Sequence, residues 1–427
     1  MRGARVVAVV MLGSALSLQA GEPPTKPKER AKAAEISPSA RAVLEKAVGA
    51  MGGDAALAKV RGMKVSSKGT FKSGAFESPY TAETIFMLPS RMVWKLDSPS
   101  FKGSIGVNGG NAWTQFMAPP ARAAGAMKES LLEMPLQLQA WLVRPILELR
   151  RWPVTGGEPE KLDGKTVYRV QISLPRDRKY TMTFTGEDKP VLTAVEGDTF
   201  LWDGRKGRVL MKYSHPKVFG EVTLASSVQQ DTLVEGKVEE SMKEEIVSVD
   251  WNPRPARNAF NMPELGIEIM KASVKEVEGS DAVSIVYAGP YDKMGEKIRA
   301  LQNGVKGTAC MPIGPVVTIY LNDPNSVKDP SELRTEIFLP VAVTGAPPDK
   351  LPEGMALKKL PGGTMASISA RGEYGKADVT ALQALFAWIT KEGHAVAGPP
   401  RMVYYHDPEM TVKEDLVSEV QIPIQKK

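Results

Sequence analysis

The chain is poor in the residues that build disulfides and metal sites. It has one cysteine, Cys310, and three histidines in 427 residues. A single cysteine cannot form an internal disulfide, and His215, His394 and His406 include no pair at helical i, i+4 spacing. The sequence also contains no GxSxG nucleophile motif and no phosphate-binding loop placed between a strand and a helix. We therefore expect no metal, no cofactor and no nucleotide.

Dense basic clusters interleaved with aromatic residues are also missing. The net charge is +6, and removal of Arg2 and Arg5 with an N-terminal leader leaves +4 (6 minus 2). This charge pattern predicts no nucleic-acid partner. A hydrophobic content of 42% and a charged content of 24% are typical of a soluble globular protein. The length predicts two or three domains.

An apolar run stands at the N-terminus. Residues 1–20 combine two arginines with apolar residues from Val6 to about Leu18 and the small residue Ala20, which is the pattern of a secretory signal peptide. The run is too short for a spanning helix, and no cysteine near the cleavage site could carry a lipid anchor. We expect a soluble protein exported to a bacterial periplasm or secreted. Residues 21–36 are expected to form a charged, proline-containing linker.

Residues 37–263 predict one helix followed by a large antiparallel sheet. Ser37 is suited to cap a helix whose first residue is Pro38. Segments rich in β-branched and aromatic residues follow, separated by turn residues, and these predict strands. A helical segment from Lys128 to Leu149 interrupts them. We interpret this region as one domain.

Several landmarks of this region resemble the LolA-like half-barrel proteins, exported relatives of the lipoprotein carriers. They are AVGAMGGDAALAKVRGMKVSSKGTF, MLPSRMVWKL, GVNGGNAWTQF and IVSVDWNPRPARNAFNMP. The resemblance implies a concave sheet and a helical lid that hold an acyl chain or another apolar ligand. The sheet would be lined by Trp94, Trp113, Phe116, Tyr168 and Phe200, and the lid by Leu138 and Trp141. Alternatively, these residues fill an ordinary core between sheet and helix.

Residues 264–427 contain an internal repeat. SIVYAGPYDKMGEKIRALQNGV aligns with ASISARGEYGKADVTALQALFAW, GPVVTIYLNDP with GPPRMVYYHDP, and ELRTEIFLPV with DLVSEVQIPI. Glu336 and Glu419 occupy equivalent positions 83 residues apart (419 minus 336). The sequence thus predicts a duplicated strand–helix–strand–strand unit, and an α+β protein when combined with the half-barrel.

This region resembles the GyrI-like small-molecule-binding domain, also known as the effector-binding domain of AraC-type regulators. The specific points are YAGPY, the two Gly-Pro and Asp-Pro segments, the two glutamate-containing last strands and LPGGTMASISARGEY. The resemblance implies a groove between the two halves, with a glutamate and aromatic residues around an apolar or cationic ligand. Carried over by position, the ligand-binding glutamate is Glu419, and Glu336 is its partner from the first half.

The chemistry of the two glutamates supports a site independently. A carboxylate in an apolar strand must face solvent, pair with a cation or be held for use. Alternation places Glu336 on one face with Arg334, and Glu419 on one face with Gln421. The alternative is that both glutamates lie on a solvated face or form ion pairs with Arg334 and Arg371.

Aromatic residues of both halves are expected to form the walls of the site and to suit a flat or cationic ligand. These are Tyr287, Tyr291, Tyr320, Tyr374, Tyr404 and Tyr405. Trp388, on the second helix, either packs over the pocket or anchors the helix to the sheet. Cys310 is expected to be a small buried hydrophobic residue rather than a nucleophile.

Three functions remain open. The first is an exported, non-enzymatic protein that binds a small apolar, amphipathic or cationic molecule in the C-terminal pocket. The second is a hydrolase of reactive electrophiles, an activity known among GyrI-like proteins, with Glu419 as base and Tyr405 as hydrogen-bond donor. It requires a raised carboxylate pKa. The third is a carrier of acyl lipid or of an envelope lipoprotein that uses the half-barrel.

Overall fold

The computed structural model describes residues 35–74, 76–99, 101–148, 152–174, 178–200, 205–306, 308–322, 326–343 and 351–426. The predicted signal peptide and all but the last two residues of the predicted linker lie outside these ranges. Within them, no helix combines the length and the apolar composition needed to span a membrane.

The N-terminal part of the described chain forms one antiparallel sheet with four helices. The helices are α1 (Pro38–Ala50), α2 (Asp54–Leu57), α3 (Gly125–Leu142) and α4 (Arg144–Glu148). The strands are β1 (Gly62–Ser73), β2 (Phe76–Met87), β3 (Arg91–Asp97), β4 (Lys102–Asn108), β5 (Asn111–Phe116), β6 (Ala121–Arg122), β7 (Val154–Leu162), β8 (Lys165–Ser173), β9 (Lys179–Thr185), β10 (Val191–Phe200), β11 (Lys206–Phe219), β12 (Val222–Val234) and β13 (Lys237–Trp251). Their order is β6-β5-β4-β3-β2-β1-β13-β12-β11-β10-β9-β8-β7.

Helix α1 begins as the sequence predicts. The Ser37 hydroxyl accepts a hydrogen bond from the backbone N–H of Ala40 (3.3 Å), and Pro38 is the first helical residue. Gly52 and Gly53 follow the helix with φ angles of 121° and 87°, which glycine adopts readily. Local capping chemistry therefore defines both ends of α1.

The first sheet is a half-barrel whose concave face carries the main core. Alternate residues such as Met63, Val65 and Phe86 are buried on this face, and α1 and α3 pack over it. Helix α3 is the lid, but it ends at Leu142 instead of continuing to Leu149 as predicted. Val143 has a φ of 59°, which interrupts the helix before α4 begins. The predicted half-barrel with a helical lid is confirmed.

One residue predicted to line the concave face lies elsewhere. Trp113 is buried on the convex face, where it packs with Val93 and donates a hydrogen bond from Nε1 to the carbonyl of Phe260 (3.0 Å). The prediction for Trp113 is wrong because Trp113 and Phe116 are three residues apart, and strand alternation sends them to opposite faces. Tyr168 packs against the main core, and the side chain of Phe200 lies outside the described part.

The C-terminal part forms a second antiparallel sheet with two helices. Its elements are β14 (Ser273–Val277), β15 (Ser280–Ala288), α5 (Met294–Gly304), β16 (Cys310–Pro312), β17 (Val316–Tyr320), β18 (Arg334–Val343), β19 (Met355–Leu360), β20 (Gly363–Arg371), α6 (Lys376–Lys391), β21 (His394–Val396), β22 (Arg401–Tyr404) and β23 (Val417–Lys426). The order is β14-β20-β23-β22-β17-β18-β15-β19, with β16 paired to β18 and β21 to β23. The second half repeats the element order of the first, and each half has two strands more than the sequence predicts, one at its start and a short one after its helix.

The two ends of this second sheet are joined. Strand β14 runs into β15 and β19 into β20, and these long strands pair in one continuous register. Where they cross, a Cβ on Gly362 would lie 2.4 Å from the backbone nitrogen of Gly279, so only glycine fits without a shift. The sheet therefore has an outer face, covered by α5 and α6, and an inner face that it encloses itself.

Candidate functional site

A clamp around Asp415 fixes the two domains to each other. Arg122, in the half-barrel, donates hydrogen bonds to Asp415 from its backbone N (3.1 Å), Nε (2.6 Å) and Nη2 (3.1 Å). Arg371 of the C-terminal domain donates to the same carboxylate, which is completely buried. Burial alone raises the pKa of Asp415, but the hydrogen bonds from the two arginines lower it to about 2. Asp415 is therefore ionised under all ordinary conditions.

A cavity of about 3650 Å³ is lined by both domains. The half-barrel contributes its concave face and the lid, including Trp94, Phe116, Leu138 and Trp141. The C-terminal domain contributes α5, α6 and the outer face of its sheet. The exposed ring of Phe386 on α6 is part of this wall. Residues of the half-barrel and of the C-terminal domain therefore line the same cavity.

Four of the predicted tyrosines form a continuous row on the outer face, which we call the tyrosine row. The ring centroids of Tyr291 and Tyr320 are 5.2 Å apart, and those of Tyr374 and Tyr404 are 4.8 Å apart. The hydroxyl groups of Tyr320 and Tyr404 meet at 3.3 Å and join the two pairs. All four residues line the cavity. The row crosses from one repeat half to the other, because Tyr320 ends β17 and Tyr404 ends the neighbouring β22.

The tyrosine row is uncharged. Burial raises the pKa of Tyr320, Tyr374 and Tyr404 above the ordinary tyrosine value. The Tyr374 hydroxyl lies 2.9 Å from the carbonyl of His406 and accepts a hydrogen bond from the His406 N–H (3.0 Å). The row therefore offers neutral aromatic rings, whose negative faces attract cations and apolar groups.

Asp378 supplies a carboxylate next to the tyrosine row, and the sequence analysis missed it. It lies in the first turn of α6, where one oxygen accepts from the Gly375 N–H (2.8 Å) and the other from the Ser418 hydroxyl. Asp378 lines the cavity, is 3% exposed and forms no ion pair with any described residue. Burial raises its pKa. In the sequence, Asp378 stands three residues after the glycine that precedes α6. This spacing predicts that its side chain caps the helix, and it does not indicate a binding site.

Glu419 lies on the inner face, on the opposite side of the sheet from the tyrosine row. It is buried and ion-paired with Lys275 of β14, and it also accepts hydrogen bonds from Tyr405 (2.8 Å) and Gln421 (2.7 Å). Ser367 donates to it as well. Burial raises the pKa of Glu419, but the hydrogen bonds from Lys275 and Ser367 outweigh this and lower it below the ordinary value. The Glu419 carboxylate is therefore charged, and its oxygens already accept hydrogen bonds from neighbouring side chains.

Glu336 has the equivalent surroundings in the first half. Ser284 donates a hydrogen bond to it (3.0 Å), and Lys358 of β19 forms an ion pair at 2.7 Å. Lys358 and Glu336 each differ by 83 from Lys275 and Glu419 (358 minus 275 and 419 minus 336). The cations are therefore two equivalent lysines, whereas the alternative drawn from the sequence named Arg334 and Arg371. Arg371 is part of the Asp415 clamp instead.

A second cation lies close to Glu419. Arg401 is buried on the inner face and donates hydrogen bonds to Gln421 (2.6 Å) and to the carbonyl of Pro361 (2.6 Å). Burial lowers the pKa of Arg401, and the Glu419 charge opposes this effect. Lys275 and Arg401 together place two positive charges around one carboxylate. This part of the inner face repels a cationic ligand.

The remaining predicted site residues have structural contacts. The Tyr287 hydroxyl donates to the carbonyl of Pro290 (2.8 Å). Trp388 packs on the core between α6 and the sheet and stacks on His394 at 5.9 Å. Cys310 is buried, and burial raises the pKa of its thiol. Among the described residues, no group of three or more metal-ligating side chains is assembled.

The comparisons with known proteins agree with the two regions seen in the fold. Residues 341–425 match the GyrI-like small molecule binding domain. This match confirms the C-terminal resemblance predicted from the sequence. A comparison with curated proteins found no match.

Solved structures similar to either region also exist. The C-terminal domain of EcmrR is 18% identical, with a TM-score of 0.32, over 37% of this chain and 98% of its own. A hydrolase from Listeria innocua is 13% identical, with a TM-score of 0.29, over 38% of this chain and 94% of its own. A LolA superfamily protein from Nitrosomonas europaea is 10% identical, with a TM-score of 0.36, over 52% of this chain and 96% of its own.

Proposed function

We propose that this protein is exported and binds a small apolar, amphipathic or cationic molecule at the tyrosine row of its C-terminal domain, without catalysis. We take residues 1–20 as a signal peptide, 21–36 as a linker, and 37–263 and 264–427 as the two domains, the second of which arose by internal duplication. The GyrI-like match supports ligand binding. The observation that carries the proposal is a row of neutral tyrosines in the wall of a large cavity, next to the buried carboxylate of Asp378, which forms no ion pair within the described part of the chain.

Within this proposal Glu336 and Glu419 do not contact the ligand. Both lie on the inner face, and each is already neutralised by a lysine. A cationic ligand at Glu419 would have to displace Lys275 and would approach Arg401. Asp378 lies on the same face as the tyrosines, and among the described residues its carboxylate accepts hydrogen bonds from Gly375 and Ser418 but forms no ion pair.

The test compares two tyrosines of one segment. We expect Tyr291→Leu to weaken the binding of a hydrophobic aromatic cation about tenfold, because a desolvated cation–aromatic contact contributes about 1–2 kcal/mol. Tyr287→Leu is the matched control, since Tyr287 is buried nearby with its hydroxyl on the carbonyl of Pro290. Isothermal titration with the mature chain measures both affinities. Equal affinities for Tyr291→Leu and the wild type would exclude the tyrosine row as the site.

The hydrolase alternative has the right contact but the wrong electrostatics. Tyr405 does donate to Glu419, as that alternative requires. A general base that works near neutral pH needs a raised pKa, however, and the pKa of Glu419 is lowered. Turnover of electrophilic cyclopropane compounds that is lost in Glu419→Gln would favour catalysis over binding.

A second candidate function is a carrier of acyl lipid or of an envelope lipoprotein. The observation that favours it is the apolar concave face of the half-barrel, which lines the cavity under the lid helix α3. Native mass spectrometry of the mature protein from cell envelopes tests this candidate. A retained lipid that is lost in Phe116→Asp but kept in Tyr291→Leu supports the carrier, and a protein that carries no lipid counts against it.

A further inference from the structure

The cavity is much larger than a small-molecule pocket. Pockets for drug-sized ligands measure about 300–1,000 Å³, whereas this cavity measures about 3650 Å³. A molecule confined to the tyrosine row would leave most of the apolar wall of the half-barrel in contact with water. The size of the cavity therefore favours a ligand that is longer than the row.

The two ends of the cavity differ in chemistry. The C-terminal end has the tyrosine row and the buried carboxylate of Asp378. The half-barrel end is lined mainly by apolar side chains from the sheet and the lid, among them Trp94, Phe116 and Leu131, and the carboxylates of Glu239, Glu240 and Glu244 on β13 also reach it. A polar or cationic group suits the first end, and a hydrocarbon chain suits the second.

The position of the two ends is fixed by contacts between the domains. Besides the Asp415 clamp, the His406 ring joins them. Its Nδ1 accepts from the Val417 N–H (3.1 Å), so Nε2 carries the proton and donates to the carbonyl of Pro119 in the half-barrel (2.9 Å). Burial lowers the pKa of His406, which keeps this neutral form. A ligand that reaches from one end to the other thus meets a preformed path.

We propose that one elongated amphiphile occupies both domains at once, with a cationic head group at the tyrosine row beside Asp378 and an alkyl chain along the concave face of the half-barrel. This inference rests on the proposed binding at the tyrosine row and extends it. It makes the half-barrel part of the same binding site instead of a separate module.

The test is a series of alkyltrimethylammonium ions from hexyl to dodecyl, titrated calorimetrically into the mature full-length chain. Each added methylene should tighten binding about threefold to fourfold if it enters the apolar wall. Phe116→Ala should flatten this dependence on chain length and leave the hexyl affinity unchanged. Tyr291→Leu should weaken every member of the series by a similar factor. Val247→Ala, at an exposed position of β13, is the control and should change neither quantity.

The outcomes separate this inference from the proposed function. If Tyr291→Leu weakens binding but Phe116→Ala leaves the chain-length dependence intact, the shared site is wrong and binding at the tyrosine row stands. If Phe116→Ala flattens the dependence and Tyr291→Leu has no effect, the ligand lies in the half-barrel alone and both are wrong. If no member binds, both are wrong as well.

Discussion

The two equivalent lysines of the inner face provide an internal comparison for the role of Glu419. Lys275→Met removes the cation from Glu419, and Lys358→Met removes it from Glu336, while the aliphatic part of each side chain is kept. Glu419 is almost fully buried, with its side chain 4% exposed, whereas that of Glu336 is 15% exposed. The same substitution at equivalent positions should therefore have unequal effects.

The magnitudes follow from the two environments. Breaking a buried ion pair costs about 3–5 kcal/mol when the remaining charge is left without compensation, but Arg401 stays close to Glu419 in Lys275→Met. Glu419 keeps hydrogen bonds from Tyr405, Ser367 and Gln421, so we expect the lower end, about 3 kcal/mol, for Lys275→Met. The Glu336 pair is closer to the surface, and such pairs contribute about 1 kcal/mol or less. Lys359→Met, at the exposed pair with Asp281, should change almost nothing.

The assay is urea unfolding of the three variants at pH 7 and at pH 4. In the wild type the pKa of Glu419 is lowered in the folded state, so its stabilisation is present above the ordinary pKa and is lost as the pH falls. In Lys275→Met the largest contact that lowers this pKa is removed, so the pKa of Glu419 should rise relative to the wild type and the loss of stability should shrink at pH 4. Equal losses for Lys275→Met and Lys358→Met would refute the reasoning. So would a Glu419→Gln variant that folds normally but no longer binds a hydrophobic cation.

Two other substitutions and one labelling reaction test the remaining structural conclusions. Asp415→Asn should lower the free energy of unfolding at pH 7 by about 2–3 kcal/mol, because the two arginines lower the pKa of Asp415 from 3.8 to about 2. The wild type should lose this stability as the pH falls from about 4 to about 2, and a flat acid titration would contradict the role of the clamp. Gly362→Ala should cost about 1–3 kcal/mol in urea unfolding, because the added Cβ meets the crossing strand. Gly110→Ala, at an open position without a positive φ, should lack this cost. The buried Cys310 thiol should react with an aromatic disulfide only after unfolding, and rapid reaction of the native chain would show that it is accessible.

Local signals in the sequence were sufficient for most of the secondary structure and for the repeat. Ser37, Pro38 and the Gly-Gly pair define α1 through contacts within a few residues, so the sequence alone predicts it. Strand segments follow from β-branched and aromatic residues between turn signals. The end of α3 did have a local signal, since Pro145 follows Leu142 by three residues and proline often stands just beyond a helix end; only the positive φ of Val143 has no such signal.

The arrangement of the candidate site depended on pairing between distant strands. Alternation already separates the side chains of Tyr404 and Tyr405, because neighbouring residues of an extended chain point to opposite faces of the sheet. The helices cover one face of the sheet, and the sheet encloses the other face itself. This arrangement follows only from the pairing of β14 with β20 and of β15 with β19. The partners of the glutamates, Lys275 and Lys358, come from these two added strands.

These ion pairs also explain why a glutamate recurs in both RTEIFLPV and SEVQIPI. Lys275 belongs to the first half and pairs with Glu419 of the second, while Lys358 belongs to the second half and pairs with Glu336 of the first. Each half therefore supplies the cation for the carboxylate of the other. A slip of one residue in β14 or β19 would turn its lysine to the outer face and leave a glutamate unpaired on the inner face. We infer that the duplicated glutamates select the register that joins the two halves; under the proposed function, ligand recognition then falls to the tyrosines on the outer face.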